Sequence, residues 1–227
     1  AHTLELPYLT GRSSYPPPDP SVGGGCMSLM SGLYPKKPID LGHQVRPLPT
    51  DGNISQLPGW RWIHTPGHTA GHISLFREED RALIVGDAFV TLRAESMLAN
   101  ISRTPELNGP PMYFTPDWNA SRESVHLLSM LEPEVVATGH GIPLSGEEMR
   151  KELHDLSANF ELCAVPDQGR YLREPAISDG SGVVSLPPKP GSPTRTTLLM
   201  LGGLLAGFAL GMKMAPRPKM RWRDLFS

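Results

Sequence analysis

Short hydrophobic runs in the middle of the chain predict β-strands. Runs rich in β-branched and aromatic residues cover 60–64, 73–76 and 82–85. The charged turn at 78–80 joins the last two, which predicts a hairpin. A further buried run at 134–137 predicts another strand.

Two stretches with helical periodicity lie between and after these strands. In the first, Trp118, Val125, Leu128 and Leu131 form an apolar stripe, with Thr115 as the expected N-cap and Pro116 as the first helical residue. The second begins at a capping box made by Ser145 and Glu148. Its apolar face consists of Met149, Leu153, Leu156 and Phe160. Strands interleaved with helices predict the α/β class.

The flanking regions have a different composition. Residues 1–55 are rich in proline and glycine, which predicts irregular backbone with one short helix at 26–33. Residues 165–195 are rich in Pro, Gly and Ser and are expected to form a linker, which leaves 1–164 as the folded domain.

Composition excludes several classes of protein. The 21 basic and 23 acidic residues leave a formal charge of -2, so nucleic acid is not expected as the main partner. The two cysteines have no CxxC spacing, which excludes a disulfide framework and a thiolate zinc site.

Histidines are concentrated where the chain leaves the first predicted strand. Residues 64–72 have the sequence HTPGHTAGH, which places three imidazoles in a segment containing Pro66, Gly67 and Gly71. Neutral imidazole is a good zinc ligand, and a tight turn fixes its direction. The alternative is a set of structural or surface histidines.

Two later strand ends repeat this arrangement. Asp87 follows the strand at 82–85, and His140 follows the strand at 134–137 with a glycine on either side. A single aspartate or histidine in such a place is commonly a turn former or a surface group. One His, one Asp and one His, each after a strand, favour a site at one edge of a sheet.

The order HTPGHTAGH, GDA and GHG resembles that of the metallo-β-lactamase-fold hydrolases, and the resemblance runs from about residue 60 to residue 160. The opening LELPYLTGR also resembles the segment after the first metal motif in some members. The resemblance implies a four-layer αβ/βα sandwich with a metal centre at one edge of its sheets.

The resemblance also implies roles for individual residues. His68 would bind the first metal, Asp87 would bridge both metals as the catalytic residue, and His140 would bind the second. The ions would be two Zn²⁺, with iron or manganese as alternatives. His72 would support the ligands, and His64 would pack within its strand.

The chain departs from the family pattern upstream. Members carry an HxHxDH motif there, and no His-x-His pair occurs in this sequence. We expect an N-terminally incomplete domain from a longer protein, because the chain opens at Ala1 without an initiator methionine. Without the first metal motif, the chain is expected to be inactive alone.

The implied reaction is hydrolysis of a small molecule. A two-metal site lowers the pKa of a bridging water and polarises the oxygen of the substrate. Ester, thioester, lactone and related bonds are all compatible with the residues. Two alternatives stay open: a thioester hydrolase of the glyoxalase II type, and a non-catalytic binding or scaffold protein that retains the fold.

The C-terminal region predicts an apolar helix followed by a basic tail. Residues 196–212 carry no charge and would span about 26 Å as a helix. Glycines at 203, 207 and 211 favour helix packing in lipid and a helix-mediated homodimer. The alternative is a helix that docks on the domain or on a partner.

A membrane helix at 196–212 would make the protein membrane-associated. The basic tail at 213–227 would stay in the cytoplasm, which would place the hydrolase domain outside. Since no export signal is visible, we favour a domain on the cytoplasmic side.

Overall fold

A five-stranded mixed sheet lies at the centre of the structure, a computed structural model that describes residues 1–35, 37–102 and 104–190. In chain order and in spatial order its strands are β1 (Trp60–His64), β2 (Ile73–Arg77), β3 (Ala82–Gly86), β4 (Val135–Thr138) and β5 (Leu144–Ser145). Strands β3 and β4 pair in parallel, and the other neighbours pair antiparallel. Strands β1, β3 and β4 therefore run in the same direction and end at the same edge of the sheet.

The described residues contain six α-helices. They are α1 (Leu6–Leu9), α2 (Cys26–Met30), α3 (Met97–Ser102), α4 (Trp118–Ser129), α5 (Gly146–Ala158) and α6 (Phe160–Cys163). Short 3-10 turns lie at Thr3–Glu5, Pro20–Val22, Ser31–Leu33, Gly42–Gln44 and Met112–Phe114. The predicted mixed α/β class is confirmed.

One face of the sheet packs against α4 and α5. Leu83 and Val85 alternate along β3 and point to one face, and Val136 is paired with Leu83 on β4. These side chains share a buried cluster with Val125 of α4 and Leu153 of α5. The apolar faces that the sequence periodicity predicts for the two long helices thus cover one face of the sheet.

The N-cap predicted for α4 is wrong. Asp117 caps the helix, because its carboxylate accepts the backbone N–H of Ala120 at 3.0 Å. The hydroxyl of Thr115 instead donates to the carbonyl of Pro111 at 2.8 Å. Both residue types suit an N-cap, and the turn at 111–115 decides between them.

The second long helix also differs from its prediction at both ends. Ser145 precedes α5, but its side chain makes no capping hydrogen bond. Phe160 belongs to the separate helix α6, because Asn159, with φ -116°, interrupts the helical conformation. The side-chain amide of Asn159 donates to the carbonyl of Asp155 at 3.1 Å.

The stretch expected to be a linker contains a second, two-stranded sheet. Strands β6 (Ile177–Asp179) and β7 (Gly182–Ser185) form an antiparallel hairpin. The hairpin contacts the N-terminal segment, since the hydroxyl of Tyr8 donates to Ser178 Oγ at 2.9 Å. Residues 1–187, which include this hairpin, form one compact unit.

The expected membrane-associated localisation requires correction. Across the described ranges, every helix is too short or too polar to cross a bilayer. The stretch 196–212, for which the sequence predicts a membrane helix and a homodimer, lies outside the described residues, as does the tail at 213–227.

Candidate metal centre

Three side chains singled out in the sequence meet at the edge where β1, β3 and β4 end. His68 lies in the loop after β1, Asp87 directly follows β3, and His140 lies just beyond β4. Nε2 of His68 is 3.4 Å from Oδ2 of Asp87, and Nε2 of His140 is 3.6 Å from the same oxygen. The common direction of the three strands explains why residues so distant in sequence come together.

The three side chains do not form a closed ligand cage. Throughout the described ranges, no three His, Cys, Asp or Glu side chains converge on one point as a metal ion requires. The arrangement consists of two imidazole nitrogens, each within 3.6 Å of the same carboxylate oxygen.

The loop that carries His68 is held against the start of α4. The hydroxyl of Ser124 donates to the carbonyl of Pro66 at 2.7 Å, and the backbone N–H of Asp117 donates to the carbonyl of Gly67 at 3.3 Å. Gly67 has φ +136°, and a Cβ there would lie 2.5 Å from Cα of Ser121. The tight Pro-Gly turn therefore lets the loop approach the helix closely.

Backbone contacts position Asp87 from both sides. Its own N–H donates to Nε2 of His72 at 3.1 Å. The N–H of Gly139 donates to the carbonyl of Gly86 at 2.7 Å. A Cβ at Gly139 would lie 2.2 Å from Oδ1 of Asp87, so the carboxylate packs directly on this glycine.

Thr91 holds the segment that carries His140. Its backbone N–H donates to the carbonyl of His140 at 3.1 Å, and its hydroxyl donates to the carbonyl of Ile142 at 2.6 Å. The hydroxyl of Thr138 also donates to the carbonyl of His140 at 2.7 Å. Sequence analysis did not identify Thr91, because no motif distinguishes it from other threonines.

Glu5 was also missed, although it lies in the opening LELPYLTGR. Its Oε1 accepts the hydroxyl of Thr69 at 2.6 Å and the N–H of Gly71 at 3.0 Å. Its Oε2 accepts the hydroxyl of Tyr15 at 2.5 Å. The carboxylate thereby ties the N-terminal segment to the histidine-rich loop.

The remaining histidines make contacts away from Asp87. His64 lies in β1, where its Nε2–H donates to the carbonyl of Ala70 at 2.8 Å and its ring stacks on that of His2 at 4.1 Å. His126 contacts Ser157, and His154 pairs with Glu132 at 2.7 Å.

Burial and the charges of neighbouring groups shift the pKa values of Asp87, His140 and His68 in opposite directions. Burial raises the pKa of Asp87, but the contact with His140 and the nearby His68 outweigh it and lower the pKa below its ordinary value. The Asp87 carboxylate raises the pKa of His140 despite partial burial. His68 is more deeply placed, and burial lowers its pKa.

Two polar atoms at the centre are buried without a hydrogen-bond partner: Nδ1 of His68 and Oδ1 of Asp87. Buried polar atoms normally find partners, and exceptions commonly mark functional sites.

Two solved structures resemble part of the chain. A metallo-beta-lactamase family protein from Thermus thermophilus is 25% identical, with a TM-score of 0.37, over 52% of this chain and 36% of that one. An archaeal metallo-beta-lactamase superfamily protein from Sulfolobus tokodaii is 20% identical, with a TM-score of 0.30, over 73% of this chain and 45% of that one.

Sequence comparison finds curated relatives in Bacillus subtilis (strain 168). The probable metallo-hydrolase YflN is 46% identical over 156 residues, which make up 69% of this chain and 59% of that protein. The probable metallo-hydrolase YybB is 28% identical over 152 residues, or 66% of this chain and 56% of that protein. The chain thus spans little more than half of the length of these relatives.

The family model described as the metallo-beta-lactamase superfamily matches residues 1–140, a range that holds His68, Asp87 and His140. Since this match covers more than half of the chain, the protein belongs to the metallo-beta-lactamase superfamily.

Proposed function

We propose that the chain contributes His68, Asp87 and His140 to a two-metal hydrolase centre. One observation carries this proposal: the imidazole Nε2 atoms of both histidines lie 3.4 and 3.6 Å from one oxygen of Asp87. Members of this superfamily generally bind divalent metals such as zinc or iron. We assign Zn²⁺ as the expected ion, with iron or manganese as alternatives.

The two distances from the histidine Nε2 atoms to Oδ2 of Asp87 fit binding to a common metal ion better than they fit direct hydrogen bonds. Both exceed the usual N–H···O range. Two ligand atoms on one tetrahedral zinc ion, each about 2.1 Å from it, lie about 3.4 Å apart. Imidazole nitrogen and carboxylate oxygen are also a donor set that suits zinc, iron and manganese.

Asp87 is the proposed bridging and catalytic residue. Divalent ions held there would supply a hydroxide nucleophile near neutral pH and polarise the scissile bond. The Asp87 carboxylate would hold both ions and orient the attacking oxygen. The ring of His72, which accepts the N–H of Asp87, fixes the backbone of Asp87, and the carboxylate packs against Gly139.

The proposed substrate is a small molecule with an ester, thioester, lactone or related bond. His68, Asp87 and His140 are only part of the donor set that two metals need. We therefore infer that this chain alone binds metal weakly and hydrolyses little, and that further ligands come from elsewhere in a longer parent. The same parent would complete the four-layer sandwich.

Zinc titration against a chromophoric chelator tests the assignment. Asp87→Asn should weaken zinc binding by the chain at least about tenfold, because it replaces the charged carboxylate by a neutral amide, a much poorer metal ligand. Asp51→Asn is the matched control, since Asp51 is exposed and contacts its neighbour Asn53. Wild-type zinc affinity in a folded Asp87→Asn chain would overturn the assignment.

A further inference from the structure

A cavity of about 330 Å³ opens beside the candidate metal centre. His68 and Thr69 line it on one side, and the proline run at 16–18 lines it on another. The ring of Phe114, also in the lining, meets the ring of His68 edge-on, with centroids 6.3 Å apart. A molecule in the cavity would therefore lie next to the proposed metal ligands.

The aromatic wall of this cavity is assembled before any ligand binds. The ring of Tyr34 meets that of Phe114 at 5.4 Å and that of Tyr113 at 6.4 Å, and these two rings are 4.8 Å apart. On the proline side, the hydroxyl of Tyr171 donates to the carbonyl of Pro17 at 2.7 Å. Such a set of packed ring faces and edges favours a planar, aromatic ligand.

The charge of the cavity lining indicates which charge an aromatic ligand should carry. Among the described lining residues, Lys37 alone belongs to the Lys, Arg, Asp or Glu class. Its side chain is exposed, and none of the described lining residues carries a carboxylate. The volume of this cavity lies at the small end of the range for ligand sites, which suits a molecule of one or two rings. The lysine in the lining favours a molecule with a negative charge.

We propose that the cavity binds the aromatic, anionic part of the substrate. The ring packs against Tyr34 and Phe114, the anionic group pairs with Lys37, and the scissile bond lies at His68. The identification of this ligand as a substrate rests on the proposed function, whereas the binding itself needs neither metal nor turnover.

The test uses three probes with one naphthalene ring and different charge. They are 2-naphthoate, 2-naphthylmethanol and 2-naphthylmethylammonium, titrated into the metal-free chain and followed by fluorescence. We expect 2-naphthoate to bind about threefold more tightly than the alcohol and the ammonium to bind most weakly, as for an exposed ion pair. Raising the salt concentration should shrink these differences.

Two substitutions separate charge from ring packing. Lys37→Ala should bring the affinities for the three probes together, while Lys151→Ala, on α5 and outside the cavity, should leave their order unchanged. Tyr34→Ala should weaken all three probes about fivefold, because it removes one aromatic wall. Charge preference and ring packing are thereby measured independently.

Equal affinities for the three probes, tightest binding of the ammonium, or an unchanged order in Lys37→Ala would overturn the proposal. Wild-type affinities in Tyr34→Ala would do the same. Because the readout is binding without metal, its failure is distinguishable from failure of zinc binding in the Asp87 experiment.

Discussion

The backbone N–H of Asp87 donates a hydrogen bond to Nε2 of His72, with 3.1 Å between the two nitrogens. Since Nε2 accepts, the proton of the ring must lie on Nδ1, which donates to the carbonyl of Thr65 at 3.0 Å. Burial lowers the pKa of His72 to about 4, so the ring is neutral at physiological pH. His72 therefore positions Asp87 and directs no lone pair toward a metal.

Replacing His72 is expected to weaken zinc binding although no proposed ligand is removed. His72→Ala leaves the Asp87 N–H without its acceptor and should cost about 2–3 kcal/mol of stability. Zinc affinity should fall as the Asp87 carboxylate loses its fixed position. Urea unfolding and zinc titration measure the two effects.

The exposed His154 provides the control for this substitution. His154→Ala removes only a surface ion pair and should change stability by less than about 1 kcal/mol, with zinc affinity unchanged. A destabilised His72→Ala chain with wild-type zinc affinity would restrict His72 to a role in folding.

Gly139 is expected to be required for the position of the Asp87 carboxylate. In Gly139→Ala, the new methyl group would lie 2.2 Å from Oδ1 of Asp87, so the carboxylate has to move. Zinc affinity should fall at least about tenfold, with a stability loss of about 1–2 kcal/mol. Gly180→Ala is the matched control, because its Cβ meets nothing within 4 Å. Equal zinc affinities in the two variants would contradict this prediction.

Glu5 is expected to stabilise the loop that carries His68. Glu5→Gln replaces a carboxylate that accepts three hydrogen bonds and should cost about 1–2 kcal/mol, whereas the exposed Glu123→Gln should be neutral. In a double-mutant cycle measured by urea unfolding, Tyr15→Phe should cost less in the Glu5→Gln background than alone. Additive losses would show that the two side chains are not coupled.

Alkaline pH is expected to destabilise the fold through Tyr171. Burial raises the pKa of Tyr171 from 10.0 to about 12, so the folded chain holds this proton more tightly than the unfolded chain. The resulting stabilisation is complete below pH 10 and is lost as the pH rises through about 12.

Comparison with Tyr171→Phe isolates this contribution. The variant should be about 1 kcal/mol less stable at pH 8, because the hydrogen bond to Pro17 is absent. Its stability should then decline less than that of the wild type between pH 10 and about pH 12. Parallel curves from chemical unfolding would exclude Tyr171 as the source.

Sequence patterns alone place at one sheet edge those residues of the candidate site that follow strand ends. Asp87 and His140 each follow a hydrophobic run, and the run predicts a strand before its pairing is known. The parallel pairing of β3 and β4 then brings both residues to one edge. The same reasoning places His68, because β1 runs in the same direction.

Contacts between distant segments could not be predicted in this way. Thr91 and His140 are 49 positions apart, and nothing local to Thr91 indicates their contact. The choice of Asp117 over Thr115 as N-cap depends on the turn at 111–115, whose hydrogen bond from Thr115 to Pro111 no sequence pattern indicates. The hairpin at 177–185 was likewise hidden by a composition that is typical of linkers.

The parallel pair β3–β4 has a consequence for how the protein can change. Gly86 and Thr138 are register partners, so the sheet fixes the distance between the residues that follow them. The intervening crossover carries Tyr113 and Phe114 of the cavity wall. A crossover altered only at Tyr113 and Phe114, with the contacts of Thr91 to the His140 segment retained, would therefore reshape the cavity while Asp87 and His140 keep their separation. Ligand choice and the proposed metal site would then be separable functions of one sheet edge.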